Sequence, residues 1–157
     1  MFLRNAWYCA ALSHEITQEP KGRIFLNEPV VMYRTQDGTL VALDDRCCHR
    51  RVPLSKGQTV GDNLRCMYRG FLFEPSGKLI WVPGDAKIPA DAGQRSYPIH
   101  EKHGWAWIWM GDPELADPAK VPTFHWDDAP GWAAFGDCMD MEADYLMMVD
   151  NLLDLSH

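Results

Sequence analysis

Two short segments constrain this chain more than anything else in it: Cys47-Cys48-His49-Arg50 and Cys66-Met67-Tyr68-Arg69-Gly70. Each opens with a thiol and follows it, within two or three residues, with a second position that can face a metal. The stretch between them carries Pro53 and Gly57, residues that favour turns. Two such segments on neighbouring loop tips can clamp an iron–sulfur centre, because thiolates are soft anionic donors suited to iron and sulfide. The fold is therefore expected to bring residues 47–49 and 66–69 together.

Before residue 111 the pattern is one of short strands and turns. Residues 23–26 and 30–33 are rich in β-formers, and Asp37-Gly38 marks a hairpin leading to residues 40–43. Residues 71–73, the turn Pro75-Ser76-Gly77 and residues 79–82 predict another hairpin. Residues 97–100 and 105–110 flank a turn at Gly104. In the last of these strands Trp105, Trp107 and Trp109 share one face, and Ala106, Ile108 and Met110 share the other. Apolar residues on both faces predict a strand buried between layers, its indoles serving as packing. Many short strands with Gly/Pro turns predict a mainly β fold, an antiparallel sandwich or small barrel.

Residues 111–122, rich in Pro and Asp, read as a loop and a candidate boundary. Residues 132–135 are expected to start another strand. From Asp144, a plausible N-cap, the pattern turns helical. Leu146, Val149 and Leu153 fall on one stripe, and Asp150, Asp154 and His157 on another. The chain then stops without a Gly or Pro stop signal, so its ending is expected to be a truncation.

At 157 residues the chain is long enough for one well-buried domain. Its formal charge of −7, with no Lys/Arg block, argues against a nucleic-acid partner. No apolar run is long enough for a membrane span, and residues 6–12 make a poor secretory signal, so a cytoplasmic location is expected. Five Cys, two of them adjacent, make a poor disulfide framework and suit thiols kept reduced for metal work.

These motifs together resemble the Rieske non-haem iron oxygenases, above all their aromatic O-demethylase branch, which includes the vanillate and dicamba demethylase oxygenases. Arg4-Asn5-Ala6-Trp7-Tyr8 is similar to that branch's opening. Cys47-x-His49-Arg50 with Pro53-Leu54-Ser55 is similar to its first cluster loop, and Cys66-x-Tyr68-x-Gly70 with Phe73 to its second. Asp150-Asn151-Leu152-Leu153-Asp154-Leu155-Ser156-His157 is similar to the start of its mononuclear iron site. The resemblance implies a Rieske-type antiparallel β-sandwich over 1–126, followed over 127–157 by the first strand and helix of a truncated α+β catalytic domain.

The resemblance also implies a [2Fe–2S] cluster. Cys47 and Cys66 would bind the inner iron and His49 the outer one, with Tyr68, Gly70 and the Pro83-Gly84 turn around them. Arg69 stands where the second His belongs. A guanidinium stays protonated and has no lone pair for a metal. Three outcomes stay open: assembly fails, an outside or neighbouring group replaces the donor, or Arg69 is deprotonated at heavy cost. Cys48 is the neighbouring candidate, although adjacent residues in extended chain point opposite ways. A zinc site built from Cys47, Cys48, His49 and Cys66 is the weaker alternative, because three successive residues converge poorly on one tetrahedron.

In the second motif, the resemblance makes His157 the first ligand of a mononuclear Fe(II). It makes Asp154 the catalytic acid that links this iron to a neighbouring subunit's cluster, and puts Asn151 near the iron. Arg69 of one subunit and Asp154 of the next would then form a charge-assisted pair in place of the lost His contact. The implied partners are an NAD(P)H-dependent reductase or ferredoxin, further copies forming a homotrimer, and a small aromatic substrate. The implied function is electron transfer within an aromatic-acid oxygenase or O-demethylase. This chain alone is not expected to turn over substrate. The alternative is a degenerate, cluster-free interaction or oligomerisation module. Elsewhere, His14, His100, His103 and His125 read as surface residues, and Cys9 and Cys138 as core thiols.

Overall fold

A computed structural model of the chain describes residues 2–84, 87–127, 129–136 and 139–156. It is mainly β and antiparallel throughout. One sheet has the order β1-β10-β9, formed by Ala6–Leu12, Trp105–Met110 and Ile99–Lys102. A second has the order β2-β3-β4, formed by Lys21–Phe25, Glu28–Arg34 and Leu40–Asp44. The third has the order β5-β6-β7-β8, formed by Gln58–Val60, Asn63–Arg65, Leu72–Phe73 and Leu79–Trp81. The expected hairpins are all present, including β3–β4 around Gly38 and β7–β8 around Gly77.

The second sheet joins the other two because both its faces are apolar. Successive residues of a strand point to opposite sides. Val30 and Met32 accordingly enter one core with Ala106, Ile108 and Met110 of β10. Val31 and Tyr33 enter another with Leu64, Phe73 and Leu79. β4 divides in the same way, with Ala42 in the first core and Val41 and Leu43 in the second. The second core also holds Cys47 and Cys66. The candidate site is thus rooted in packed hydrocarbon at one end of the sandwich.

The Trp face of β10 is covered by loop rather than by another sheet. Trp107 stacks on Phe124 at 6.3 Å between ring centroids, and Trp109 meets Trp7 edge-on at 5.4 Å. The indole N–H of Trp109 donates to the Asp112 carbonyl at 2.7 Å, and that of Trp7 to the Asp117 carbonyl at 2.8 Å. The Pro-rich segment read as a candidate boundary is therefore pinned to the sheet before it. Asp112 and Asp117 each cap a short 3-10 turn in it by accepting from the backbone two residues on.

Three sequence expectations are corrected. Residues 132–135 form no strand; Trp132 and Phe135 are 70% and 97% exposed, so no partner edge organises them. Cys9 is exposed, not in the core. A β-bulge between Cys9 and Ala11 shifts the register against β10, which buries Ala10 and Ala11 together and turns Cys9 outward. His100 and His103 are half-buried, while His14 and His125 are exposed as expected. Cys138 lies outside the described residues.

Gly57 bridges the two halves of the site. It ends the 3-10 turn Leu54–Lys56 and lies against β6, where a Cβ would overlap the backbone oxygen of Arg65. Neither backbone can yield without breaking the β5–β6 pairing. Gly57→Ala is expected to cost about 2 kcal/mol or more, measured as a lower urea midpoint with an unchanged m-value. An unchanged midpoint would mean the contact relaxes freely.

Candidate metal centre

The two motif segments fold into loops of one design. In the first, the Cys47 N–H donates to the Val52 carbonyl at 2.9 Å and the Arg51 N–H donates to the Cys47 carbonyl at 2.7 Å. In the second, the Cys66 N–H donates to the Phe71 carbonyl at 2.8 Å and the Gly70 N–H donates to the Cys66 carbonyl at 3.0 Å. Each loop closes at the fourth residue after its Cys, and both of those residues are left-handed: Arg51 at φ 56° and Gly70 at φ 73°. Gly adopts that backbone freely, whereas Arg does so at a cost of about 1–2 kcal/mol.

This closure buries both thiols and exposes both tips. Cys47 and Cys66 are each 2% exposed and are buried in the same core. Burial, with the Cys66 thiol alongside, pushes the Cys47 thiol up to about 12, only partly offset by the His49 backbone N–H directed at its sulfur. The Cys47 thiol is neutral until a metal takes its proton, at which point coordination reverses that preference. His49 stands out at the tip with its ring stacked on Phe71 at 5.1 Å and on Tyr68 at 6.0 Å.

Arg69 sits beside His49, its guanidinium 5.8 Å from the Tyr68 ring centre. The two side chains share the lining of one cavity with Phe71 and Pro83. Gly70 lies against the ring of Trp81, and a Cβ on it would come to 3.6 Å, so its left-handed backbone is what requires glycine there. Beneath the first loop, buried Asp45 accepts from the Ser55 N–H and from its hydroxyl, both at 2.6 Å. This tether anchors the loop base to the 3-10 turn. The contact spans ten residues and had no signal of its own in the sequence. Phe71 was read as a strand residue, and only the stacking identifies it as a wall for His49.

The donor set fits a [2Fe–2S] cluster at three positions and fails at the fourth. Two buried thiols, one from each loop, suit an inner iron, and His49 suits an outer one. Arg69 offers donors only. Cys48, the neighbouring candidate, is exposed where Cys47 is buried, in keeping with adjacent residues pointing opposite ways. Among the described residues no three His, Cys, Asp or Glu side chains converge on a single ion. The zinc alternative therefore lacks its ligand set, whereas a binuclear centre asks only two protein ligands of each iron.

The second motif is organised less fully. Asp144 caps helix α1, Tyr145–Leu153, by accepting from the Leu146 N–H at 2.9 Å, as expected. The helix stops at Leu153, and Asp154 is its extended C-cap, so the stripe read through Asp150, Asp154 and His157 does not continue on helix. Asp154 accepts from the Ser156 N–H at 3.0 Å, a local turn that takes the chain off the helical path. Asp150, Asn151 and Asp154 line one open hollow. His157 lies outside the described residues.

A profile of the Rieske [2Fe-2S] domain matches residues 6–98. The chain is 45% identical over 158 residues to the iron-sulfur subunit of the toluene-4-sulfonate monooxygenase system of Comamonas testosteroni, covering all of this chain and 46% of that protein. It is 42% identical over 157 residues to the oxygenase component of dicamba O-demethylase of Stenotrophomonas maltophilia, covering 99% of this chain and 46% of that one. The crystal structure of apo dicamba monooxygenase superposes with a TM-score of 0.94 at 42% identity, over 99% of this chain and 47% of that one. The chain thus spans about half the length of the curated relatives it matches. No helix among the described residues is long and apolar enough to cross a membrane.

Thiol chemistry checks the loop geometry directly. In metal-free protein at pH 8, iodoacetamide is expected to label Cys9 and Cys48 readily. Cys47 should react at least about tenfold slower than Cys48, since it is buried and the thiolate is the nucleophile. Peptide mass mapping over time gives the rates. Equal labelling of Cys47 and Cys48 would contradict the buried pairing.

Proposed function

The chain belongs to the Rieske [2Fe-2S] domain family, and from that premise we propose that it is the electron-transfer part of an aromatic-acid oxygenase or O-demethylase. The observation that carries this reading is the burial of Cys47 and Cys66 in one core on two loops of equal design, with His49 at the exposed tip. When bound, a [2Fe–2S] cluster supplies one-electron chemistry, at a potential raised by imidazole ligation. Cys47 and Cys66 would hold its buried side and His49 its outer side. Phe71 and Tyr68 keep the imidazole plane from swinging, and the Asp45–Ser55 tether keeps the first loop from opening.

The relatives' names support the same reading, being an iron-sulfur subunit of a monooxygenase system and an O-demethylase oxygenase component. On this reading an NAD(P)H-dependent reductase or ferredoxin supplies electrons in the cytoplasm. Asp154 and His157 would belong to a mononuclear Fe(II) site completed further along a longer chain, and an aromatic substrate would bind there. Residues 1–126 would form the Rieske unit and 127–157 the start of the catalytic one. Arg69 would pair with Asp154 of a neighbouring copy in a homotrimer. In a longer version, Asp154→Ala is expected to weaken the trimer, seen as a shift to monomer on dilution in sedimentation velocity; an unshifted trimer removes that pairing.

The second reading, a cluster-free interaction module, rests on Arg69 alone. Anaerobic reconstitution with iron and sulfide separates the two. Arg69→His is expected to gain the visible absorption and the iron and sulfide of a binuclear centre. The unmutated chain should bind iron at least about tenfold more weakly. Equal uptake by both proteins would remove Arg69 as an obstacle. Uptake by neither, with both folded, would overturn the electron-transfer reading in favour of the module.

A further inference from the structure

His49 and Arg69 both line a cavity of about 330 Å³. Its walls are mostly apolar, built from Phe71, Leu79, Val82 and Ile88, and two cations, Arg69 and Lys87, flank it. Arg4, Lys21, Arg23, Arg34 and Arg95 each contact a Glu. Among the described residues Arg69 and Lys87 have no such carboxylate. The contact recorded for Arg69 is the face of Tyr68, which leaves the edge of its guanidinium available.

The geometry points to a binding site for a small organic carboxylate with a compact apolar body. A guanidinium presents a planar fork that matches a carboxylate edge, and an ammonium adds a second point of positive charge. Neither is a metal donor, so the substitution that weakens the cluster site is the one that suits an anion. Apolar walls with a few polar groups are the usual make-up of small-molecule sites, whose volumes begin at about 300 Å³. This volume admits a single ring and little more. The Phe71 and His49 rings, stacked 5.1 Å apart, make one wall flat. Inorganic anions would meet the same charges without gaining from those walls. The site needs no metal, and it belongs to the chain apart from its copies, since an Arg69–Asp154 pair in a trimer would occupy the same guanidinium.

The test is calorimetric titration of the metal-free chain with sodium benzoate at low ionic strength, with acetate and inorganic phosphate as controls. Saturable benzoate binding is expected, at least about fivefold tighter than acetate or phosphate because the ring buries apolar surface. Arg69→Ala and Lys87→Ala should each weaken it about tenfold or more, the scale of a lost charge-assisted hydrogen bond. Both residues are exposed, so both variants are expected to keep the far-ultraviolet circular dichroism of the parent. In the unmutated protein the His49 imidazole resonances should move along one saturating curve with benzoate, a readout that needs no variant. Absence of saturable binding, affinity in either variant unchanged from the parent, phosphate binding as tightly as benzoate, or unmoved His49 resonances would each overturn the proposal.

Discussion

The candidate centre depends on two cysteine thiols held together in hydrocarbon. Cys47 and Cys66 are partly core residues, packed with Leu54, Leu64, Phe73 and Leu79, and partly loop residues, each anchored through its own N–H and C=O. Backbone hydrogen bonds around a buried residue leave it little freedom, because breaking them strands polar groups away from water. The two side chains share one core for that reason. Burial favours the neutral form of the Cys47 thiol. A site built this way is preorganised for a group that arrives positively charged and takes the protons away.

The outer side of the centre obeys different physics. His49 is exposed and its ring is oriented by aromatic faces. Arg69 beside it is cationic and donor-only, and it rests on the Tyr68 ring, where the π-face attracts positive charge. The same loop position can thus be well packed and still wrong for coordination. Packing tests shape and charge, whereas ligation also needs a lone pair.

Much of the fold was legible in the chain. Hairpins at Gly38, Gly77 and Gly104 announce themselves because a turn with positive φ selects its residues locally. The two-faced apolar pattern of β10 was equally readable, and so was the Asp144 cap. What failed had long-range causes. Cys9 faces solvent because a bulge, visible only in the register against β10, rotates the strand there. Residues 132–135 carry strand-like composition but lack an edge to join. The acidic stripe beyond α1 breaks at Asp154, where a side-chain bond to Ser156 competes with the next helical turn.

The sequence by itself determined the ligand types, their order and the missing donor at Arg69, because coordination chemistry belongs to side chains and follows from their identity alone. It also determined which strands turn back on themselves. Only the tertiary structure decided that Asp45 braces the first loop through Ser55 and that Phe71 walls His49. It alone brought Lys87 to the cavity that Arg69 shares. These contacts join residues far apart in the chain, and such distances are set by how three sheets share two cores, which no local pattern encodes.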